Sequence, residues 1–287
     1  MPDIVRVAFY VSPHQDDWQL FMNPSAFRDV RDEACRCVFI HMTAGDAGLG
    51  TGGGGRAHPL YLARDNGAET AIRFMADADN RAPAEPVRAT PLLNGRPVRR
   101  VAYRNTVAYF LHLPDGDPEG TGYVATGFQS LQRLAAGEVP ALTAIDGSAT
   151  YRNWDDLCAA VHDLLVTETG SLPCDIHVPE QDPVMNPGDH ADHRCSARLV
   201  REAAAGLTAG WWHHLGYAAA SRSENLDRAG RDLKCAVYAV TVAGVLALGH
   251  PMSWHHYDNL YIGRDHWRRE EPTRMADNRL SRARWPQ

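Results

Sequence analysis

The sequence lacks the features that mark a partner of nucleic acids or of membranes. Its formal net charge is -6 and its basic residues are scattered, so it offers no concentrated positive field to a polyanion. Its longest apolar stretch, residues 235–249, is interrupted by Thr241 and is shorter than the ~18–20 residues needed to cross a bilayer. We therefore expect no nucleic-acid partner and no membrane span, and the oligomeric state stays open.

The chain also lacks a cysteine framework and an export signal. Its six cysteines form no C-x-x-C pair, and its first residues show no basic segment followed by an apolar one. These absences predict reduced thiols and a cytoplasmic location. No G-x-G-x-x-G motif follows the first apolar run, which argues against a dinucleotide-binding oxidoreductase.

Apolar runs that alternate with helical spacing predict an α/β fold. The composition, 44% hydrophobic and 22% charged, is globular, and no linker is visible, so residues 1–287 are interpreted as one domain. Strands are expected at 4–11, 35–42, 98–103, 107–113, 174–178 and 214–219, and helices at 18–27 (interrupted by Pro24), 61–75, 154–167, 193–204 and 226–248. This order predicts a mostly parallel sheet with helices on both faces, a long loop at 115–150 capping the site, and an irregular C-terminal tail.

Two groups of His and Asp residues directly follow predicted strands. Residues 13–17 read Pro-His-Gln-Asp-Asp, and residues 186–193 read Asn-Pro-Gly-Asp-His-Ala-Asp-His. In parallel sheets, ligands bind beyond the carboxyl ends of the strands. Zinc in hydrolases usually takes three nitrogen or oxygen ligands and leaves one position for water, and His14, Asp17 and His193 would supply such a set.

The remaining acidic residues of the two groups fit either a role in catalysis or a purely structural role. Asp16 would be available to deprotonate water, and Asp192 could hydrogen-bond a histidine and fix its tautomer. Asp residues also begin helices routinely, and Asp189 or Asp192 could do only that. One group alone would fit a turn or a helix cap, but two groups after strands of one sheet favour a metal site.

The paired motifs resemble those of the LmbE-like, or PIG-L-type, N-acetylglucosaminyl deacetylases. The family's first motif reads A-H-P-D-D-E, where this chain has Gln15 in place of Pro and Trp18 in place of the last Glu. Residues 190–193 match its distant H-x-D-H motif. Residues 43–48 are similar to its T-x-G-x-x-G stretch, and residues 113–116 to its L-x-D-G turn.

This resemblance implies a Rossmann-like fold and zinc-dependent removal of an acyl group from the amine of an amino sugar, with another divalent metal as an alternative cofactor. Some relatives carry a mobile Tyr two residues before the second motif, where this chain has Gly188, so no oxyanion role is assigned there. The residues implied by position are His14, Asp17 and His193 as metal ligands, Asp16 as general base, protonated His190 as acid or oxyanion partner, Asp192 as the residue that orients His190, and Arg64 as a substrate contact.

The substrate is less sharply indicated than the chemistry. Residues 17–21, 45–55 and 186–193 resemble the subgroup that deacylates N-acylglucosamine on teicoplanin-like glycopeptide antibiotics. A small soluble N-acetyl amino sugar, such as an aminoglycoside or thiol-conjugate precursor, is the alternative. A metal-stabilised binding protein without catalysis is a third interpretation, and it predicts a closed site with four protein ligands. Residues 254–257, Trp-His-His-Tyr, fit either a sugar-binding surface or half-buried packing.

Overall fold

The structure is a computed structural model that describes residues 3–79, 82, 84–252, 257 and 260–274. The described strands are β1 (Arg6–Ser12), β2 (Cys35–Thr43), β3 (Val87–Ala89), β4 (Leu92–Leu93), β5 (Arg96–Pro97), β6 (Arg99–Tyr103), β7 (Thr106–Leu113), β8 (Leu142–Thr143), β9 (Thr150–Tyr151), β10 (Cys174–Pro179), β11 (Thr208–His214) and β12 (Trp267–Arg274). The described α-helices are α1 (Asp17–Phe21), α2 (Ser25–Arg31), α3 (Leu60–Ala76), α4 (Leu131–Ala136), α5 (Trp154–Thr169), α6 (Ala191–Ala203) and α7 (Arg228–Ala247).

An eight-stranded sheet forms the centre of the fold, in the order β12-β11-β10-β1-β2-β7-β6-β3. The five strands from β11 to β7 in this order are parallel to one another. The outer strands β12, β6 and β3 pair antiparallel to their neighbours. The prediction of an α/β fold with a mostly parallel sheet is therefore confirmed.

Helices cover both faces of this sheet, as expected. Along β1 the side chains alternate between two buried clusters, with Val7 and Phe9 in one and Ala8 and Tyr10 in the other. The first cluster packs under α4, α5 and α6, and the second under α1, α2, α3 and α7. Burial on both faces explains why the central strands read as continuous apolar runs in the sequence.

Helices α3 and α7 pack closely because glycine lies at their contact. A Cβ atom on Gly67 would lie 2.7 Å from Cγ2 of Val245 and 2.8 Å from the carbonyl oxygen of Thr241. No larger residue fits at this position without separating the helices. The contact fixes α3, which carries Arg64, against the rest of the domain.

Three predictions of secondary structure were wrong. The segment 115–150, expected to be a long loop, contains a 3₁₀-helix at Val124–Thr126, the helix α4 and the strand β8. The strand expected at 214–219 is β11 at Thr208–His214, and a short 3₁₀-helix follows at Tyr217–Ser221. The tail expected to be irregular contains β12, whose sequence is rich in charged residues. Such a strand is tolerated at a sheet edge, where only one side is paired, and for that reason its sequence gives no apolar strand signal. The predicted break at Pro24 is confirmed, since it separates α1 from α2.

Within the part of the chain that the structure describes, no helix has the length and apolar character that a membrane span requires. The carboxyl ends of β1, β2, β7 and β10 lie side by side at one edge of the sheet. Both His/Asp groups follow strands of this set, so the fold brings them to the same place.

Candidate metal centre

The first His/Asp group is a tight turn between β1 and α1. The backbone N–H of His14 donates to Oδ2 of Asp17 at 2.6 Å, and the hydroxyl of Ser12 donates to the carbonyl of His14. Thr43, at the end of β2, anchors the turn by donating both its N–H and its hydroxyl to the carbonyl of Pro13, at 2.9 Å each. The turn therefore holds His14 and Asp17 in a fixed relation.

The second group surrounds the start of α6. His190 is the residue that precedes the helix, and its Nδ1 accepts a hydrogen bond from the backbone N–H of Asp192 at 3.1 Å. His193 lies in the first turn and is fully buried. The expectation that Asp189 or Asp192 caps this helix through its carboxylate is not met, because His190 performs that role.

The three predicted metal ligands converge in the structure. The ligand atoms of His14, Asp17 and His193 all lie within 4.8 Å of one another, and all three residues are buried. Oδ1 of Asp17 lies 3.3 Å from Nε2 of His193, and Oδ2 of Asp17 lies 3.3 Å from Nδ1 of His14. Nitrogens from two turns more than 170 residues apart along the chain thus face one carboxylate.

The chemistry of this set fits a divalent metal such as zinc. Nε2 of His193 is buried and has no hydrogen-bond partner among the described residues. An unpartnered buried polar atom is costly, so such atoms call for a ligand. Two imidazoles and one carboxylate form a donor set that zinc accepts in hydrolases.

A second set of possible ligands lies beside the first and shares His14. It adds Asp115, His190 and Asp192, and its four ligand atoms also lie within 4.8 Å of one another. In the sequence, Asp115 stands out only as part of the L-x-D-G turn that follows β7. Its position directly after a central parallel strand was the signal for a site residue.

The carboxylate of Asp192 is placed differently from the expectation that it orients His190. Its Oδ2 lies 3.4 Å from Nε2 of His14 but 3.8 Å from Nδ1 of His190. That same Nδ1 already accepts the backbone N–H of Asp192, so in a neutral ring it carries no proton to donate. Asp192 therefore contacts His190 through its backbone, and its carboxylate lies nearer to His14.

Asp16 and Arg64 form an ion pair at the same edge. Nη2 of Arg64 donates to Oδ1 of Asp16, and Nε of Arg64 donates to the Gln15 side-chain oxygen at 3.3 Å. Burial alone would lower the pKa of the Arg64 guanidinium, but Asp16 and Asp17 raise that pKa above its ordinary value. The predicted base and the predicted substrate contact are thus neighbours in the structure.

The pKa values of the histidines follow from their charged neighbours. Burial lowers the pKa of His14 and of His193, but adjacent carboxylates outweigh it: Asp17 raises the first well above its ordinary value, and Asp189 with Asp17 raises the second to about 10. Burial together with His14 and His193 lowers the pKa of His190 to about 3. Burial and these two neighbours thus disfavour the protonated form of His190 that was expected from the sequence.

A cavity of about 190 Å³ opens onto these groups. Five of the seven sequence-predicted site residues line it, and Asp192 and His193 lie behind its wall, fully buried. Its lining comprises His14, Asp16, Asp17, Leu20, Phe21, Ala47, Arg64, Asp115, Pro118, Tyr123, His190, Tyr217, Tyr257 and Tyr261.

Sequence reasoning missed most of the tyrosines on this cavity wall. Tyr217 begins the 3₁₀-helix before α7 and Tyr261 lies in a turn after α7, and no periodic pattern in the sequence marks either residue. Tyr257 belongs to the aromatic run noted in the sequence and does line the cavity, while residues 254–256 of that run lie outside the described residues. The cavity therefore has one charged wall and one aromatic wall.

Comparison with known proteins adds no assignment: no family model matches the chain, and a search of curated proteins finds no match.

Proposed function

We propose that this protein is a zinc-dependent amide hydrolase that removes the N-acyl group from a glucosaminyl moiety. The observation that carries the proposal is the convergence of His14, Asp17 and His193 beside a further carboxylate, Asp16, on the wall of an open cavity. A purely structural metal site is closed by protein ligands and has no use for a charged cavity. The resemblance of the two motifs to the LmbE-like deacetylases points to the same chemistry.

The ligand set would hold the metal at the base of the cavity. A zinc ion there would supply Lewis acidity that activates a water molecule and polarises the amide carbonyl. Asp16 accepts the proton that the water loses as it attacks the carbonyl carbon. Arg64, paired with Asp16, keeps that carboxylate on the cavity wall and contributes positive charge toward the substrate.

His190 stabilises the oxyanion as a neutral donor in this proposal. Because its Nδ1 accepts the backbone N–H of Asp192, the ring proton is on Nε2. Nε2 lies 3.9 Å from Oδ1 of Asp115, on the cavity wall. A positioned N–H donor of this kind stabilises the charge that develops on the carbonyl oxygen. The amide C–N bond then breaks, the proton that Asp16 accepted passes to the released amine, and the acyl group leaves as a carboxylate.

A large conjugate is favoured over a small free sugar by the surface beside Tyr123. Leu49, Val124 and Phe128 are exposed apolar residues in the segments around this tyrosine, which itself lines the cavity. The N–H of Phe128 bonds the Tyr123 carbonyl at 2.9 Å, and Gly48 packs against the Tyr123 ring. An apolar rim of this kind suits a substrate with an apolar body beyond the sugar, as in a glycopeptide carrying N-acylglucosamine.

Hydrolysis in water enriched in oxygen-18 tests the reaction. The zinc-loaded protein is incubated with a glycopeptide that carries N-acylglucosamine, and the masses of the products are measured by mass spectrometry. We expect the loss of one acyl group and one labelled oxygen in the released carboxylate. Asp16→Asn protein of equal zinc content is the control and should release little. Intact substrate with wild-type protein, or unlabelled carboxylate, would contradict the proposal.

A further inference from the structure

A second carboxylate lies behind one of the two histidines of the candidate metal set. Nδ1 of His193 lies 3.0 Å from Oδ1 and 3.1 Å from Oδ2 of Asp189. Asp189 is 3% exposed and His193 is 0% exposed, so water does not compete for the contact. From its place in the sequence, Asp189 was expected to do no more than cap a helix. In the structure its carboxylate bonds none of the backbone N–H groups of α6 and faces the imidazole instead.

The position of this carboxylate is fixed from three further sides. The side-chain amide of Asn186 donates to Oδ2 at 2.7 Å, and the backbone N–H of Tyr217 donates to Oδ1 at 3.1 Å. Gly216 closes the third side, because a Cβ atom there would lie 2.5–2.9 Å from the carboxylate atoms. The chain therefore uses a glycine to let the backbone approach Asp189, and the carboxylate has little freedom to rotate.

This arrangement determines which nitrogen of His193 is free. An ionised carboxylate accepts hydrogen bonds but cannot donate one, so Nδ1 of His193 must carry the hydrogen of this contact. When the ring gives up its second proton to bind a cation, the lone pair is on Nε2, which is buried, lacks a hydrogen-bond partner among the described residues, and lies 3.3 Å from Oδ1 of Asp17. Nε2 is thus the nitrogen that the geometry presents to a cation.

We infer that Asp189 is a positioning residue for the metal: it holds His193 in the tautomer and orientation that present Nε2 beside Asp17. The inference rests on the metal site of the proposed function but not on its substrate. Carboxylates that accept the distal N–H of a ligating histidine raise its basicity, and their loss typically weakens metal affinity 10- to 100-fold.

Two variants of Asp189 test this role through zinc affinity rather than activity. Asp189→Asn keeps the shape and one oxygen acceptor but removes the negative charge, and Asp189→Ala removes both. Asp155→Asn makes the same chemical change at an exposed position in the first turn of α5 and serves as the control. Zinc dissociation constants are measured by competition with a chromophoric chelator, and folding is checked by circular dichroism of the metal-free proteins.

We expect the zinc dissociation constant to rise about 10- to 100-fold in Asp189→Ala and by a smaller factor in Asp189→Asn, with Asp155→Asn unchanged. Nitrogen-15 NMR of the zinc-loaded wild type should show a protonated Nδ1 on His193. Folded Asp189 variants that bind zinc as tightly as wild type would overturn the positioning role and leave the proposed hydrolase intact. Wild-type protein that binds no zinc would overturn both.

Discussion

The Asp192 carboxylate lies between two imidazoles and is nearer to that of His14. Its Oδ2 is 3.4 Å from Nε2 of His14, whereas Nδ1 of His190, at 3.8 Å, is occupied by a backbone N–H. Oδ2 also accepts the backbone N–H of Gly116 at 2.9 Å, which holds the carboxylate in place. Nδ1 of His14 faces Asp17 and Nε2 of His14 faces Asp192, so the ring is held between two carboxylates.

Asp192→Asn should therefore weaken zinc binding. If the carboxylate supports His14 as a ligand, the zinc dissociation constant rises about 10- to 100-fold. If it acts on His190 instead, zinc affinity stays at the wild-type level and only the turnover number falls. Chelator competition and steady-state kinetics on one preparation separate the two, and Asp155→Asn again serves as the control.

Asp16→Asn should separate metal binding from turnover. Asp16 is not in either set of converging ligand atoms but lines the cavity beside them, so its loss leaves the ligand set complete. We expect an ordinary zinc content and a fall in the turnover number of about 10²- to 10⁴-fold, the usual range for a general base. His193→Ala is the contrasting variant, since it should lose zinc. Ordinary turnover in Asp16→Asn would remove the base assignment.

Polar substitutions in the apolar rim beside Tyr123, formed by Leu49, Val124 and Phe128, should lower activity on large substrates only. Val124→Ser and Phe128→Ser together should lower kcat/KM for a glycopeptide about tenfold, since each removes apolar surface that the substrate would cover. The value for free N-acetylglucosamine should not change. Val166→Ser, at an exposed position on α5, is the matched control. An equal loss on both substrates would show that the rim supports the fold rather than the substrate.

The stability of the fold should fall with rising pH because of His112. Burial lowers the pKa of this imidazole, but Asp65 and Asp146, each 2.8 Å away, raise it to about 9. The Tyr61 ring packs edge-on against it, and Arg99 lies 3.3 Å from Asp65. A raised pKa means that the folded state holds the proton more tightly than the unfolded state, whose value is about 6.5.

The stabilisation from His112 is thus complete below about pH 6.5 and is lost as the pH rises through about 9, a change on the order of 3 kcal/mol. Urea unfolding of wild type and His112→Gln at a series of pH values measures it. We expect the difference between the two free energies of unfolding to shrink across this interval. A difference that stays constant from pH 6 to 10 would contradict the assignment.

Much of the fold was predictable because the central strands are buried on both faces. The apolar runs of β1 and β2 need no tertiary information to be recognised, and the helical spacing of α3 is equally plain. The edge strand β12 was missed because it is charged. Strand β11 was placed about six residues too late along the chain, because its aromatic and histidine residues do not form the aliphatic run that marks β1.

The candidate site was predictable where its residues follow strands and not where packing alone brings them in. His14 and Asp17 follow β1 directly, and His193 lies at the start of α6, the first helix after β10, so the sheet rule placed them together. The orienting contact of Asp189 depends on Gly216 approaching it from a distant segment, and no local pattern reports that. The tautomer of His190 likewise depends on a backbone hydrogen bond.

The most direct test of the central claim is release of free amine from a panel of N-acylated amino sugars, assayed with added zinc and after chelation. The panel runs from free N-acetylglucosamine to glycopeptides that carry N-acetyl- or longer N-acylglucosamine. We predict zinc-dependent release that is fastest from the glycopeptides. No release from any member, by protein shown to hold zinc at the His14, Asp17 and His193 site, would contradict the claim that this chain is an N-acylglucosaminyl deacylase.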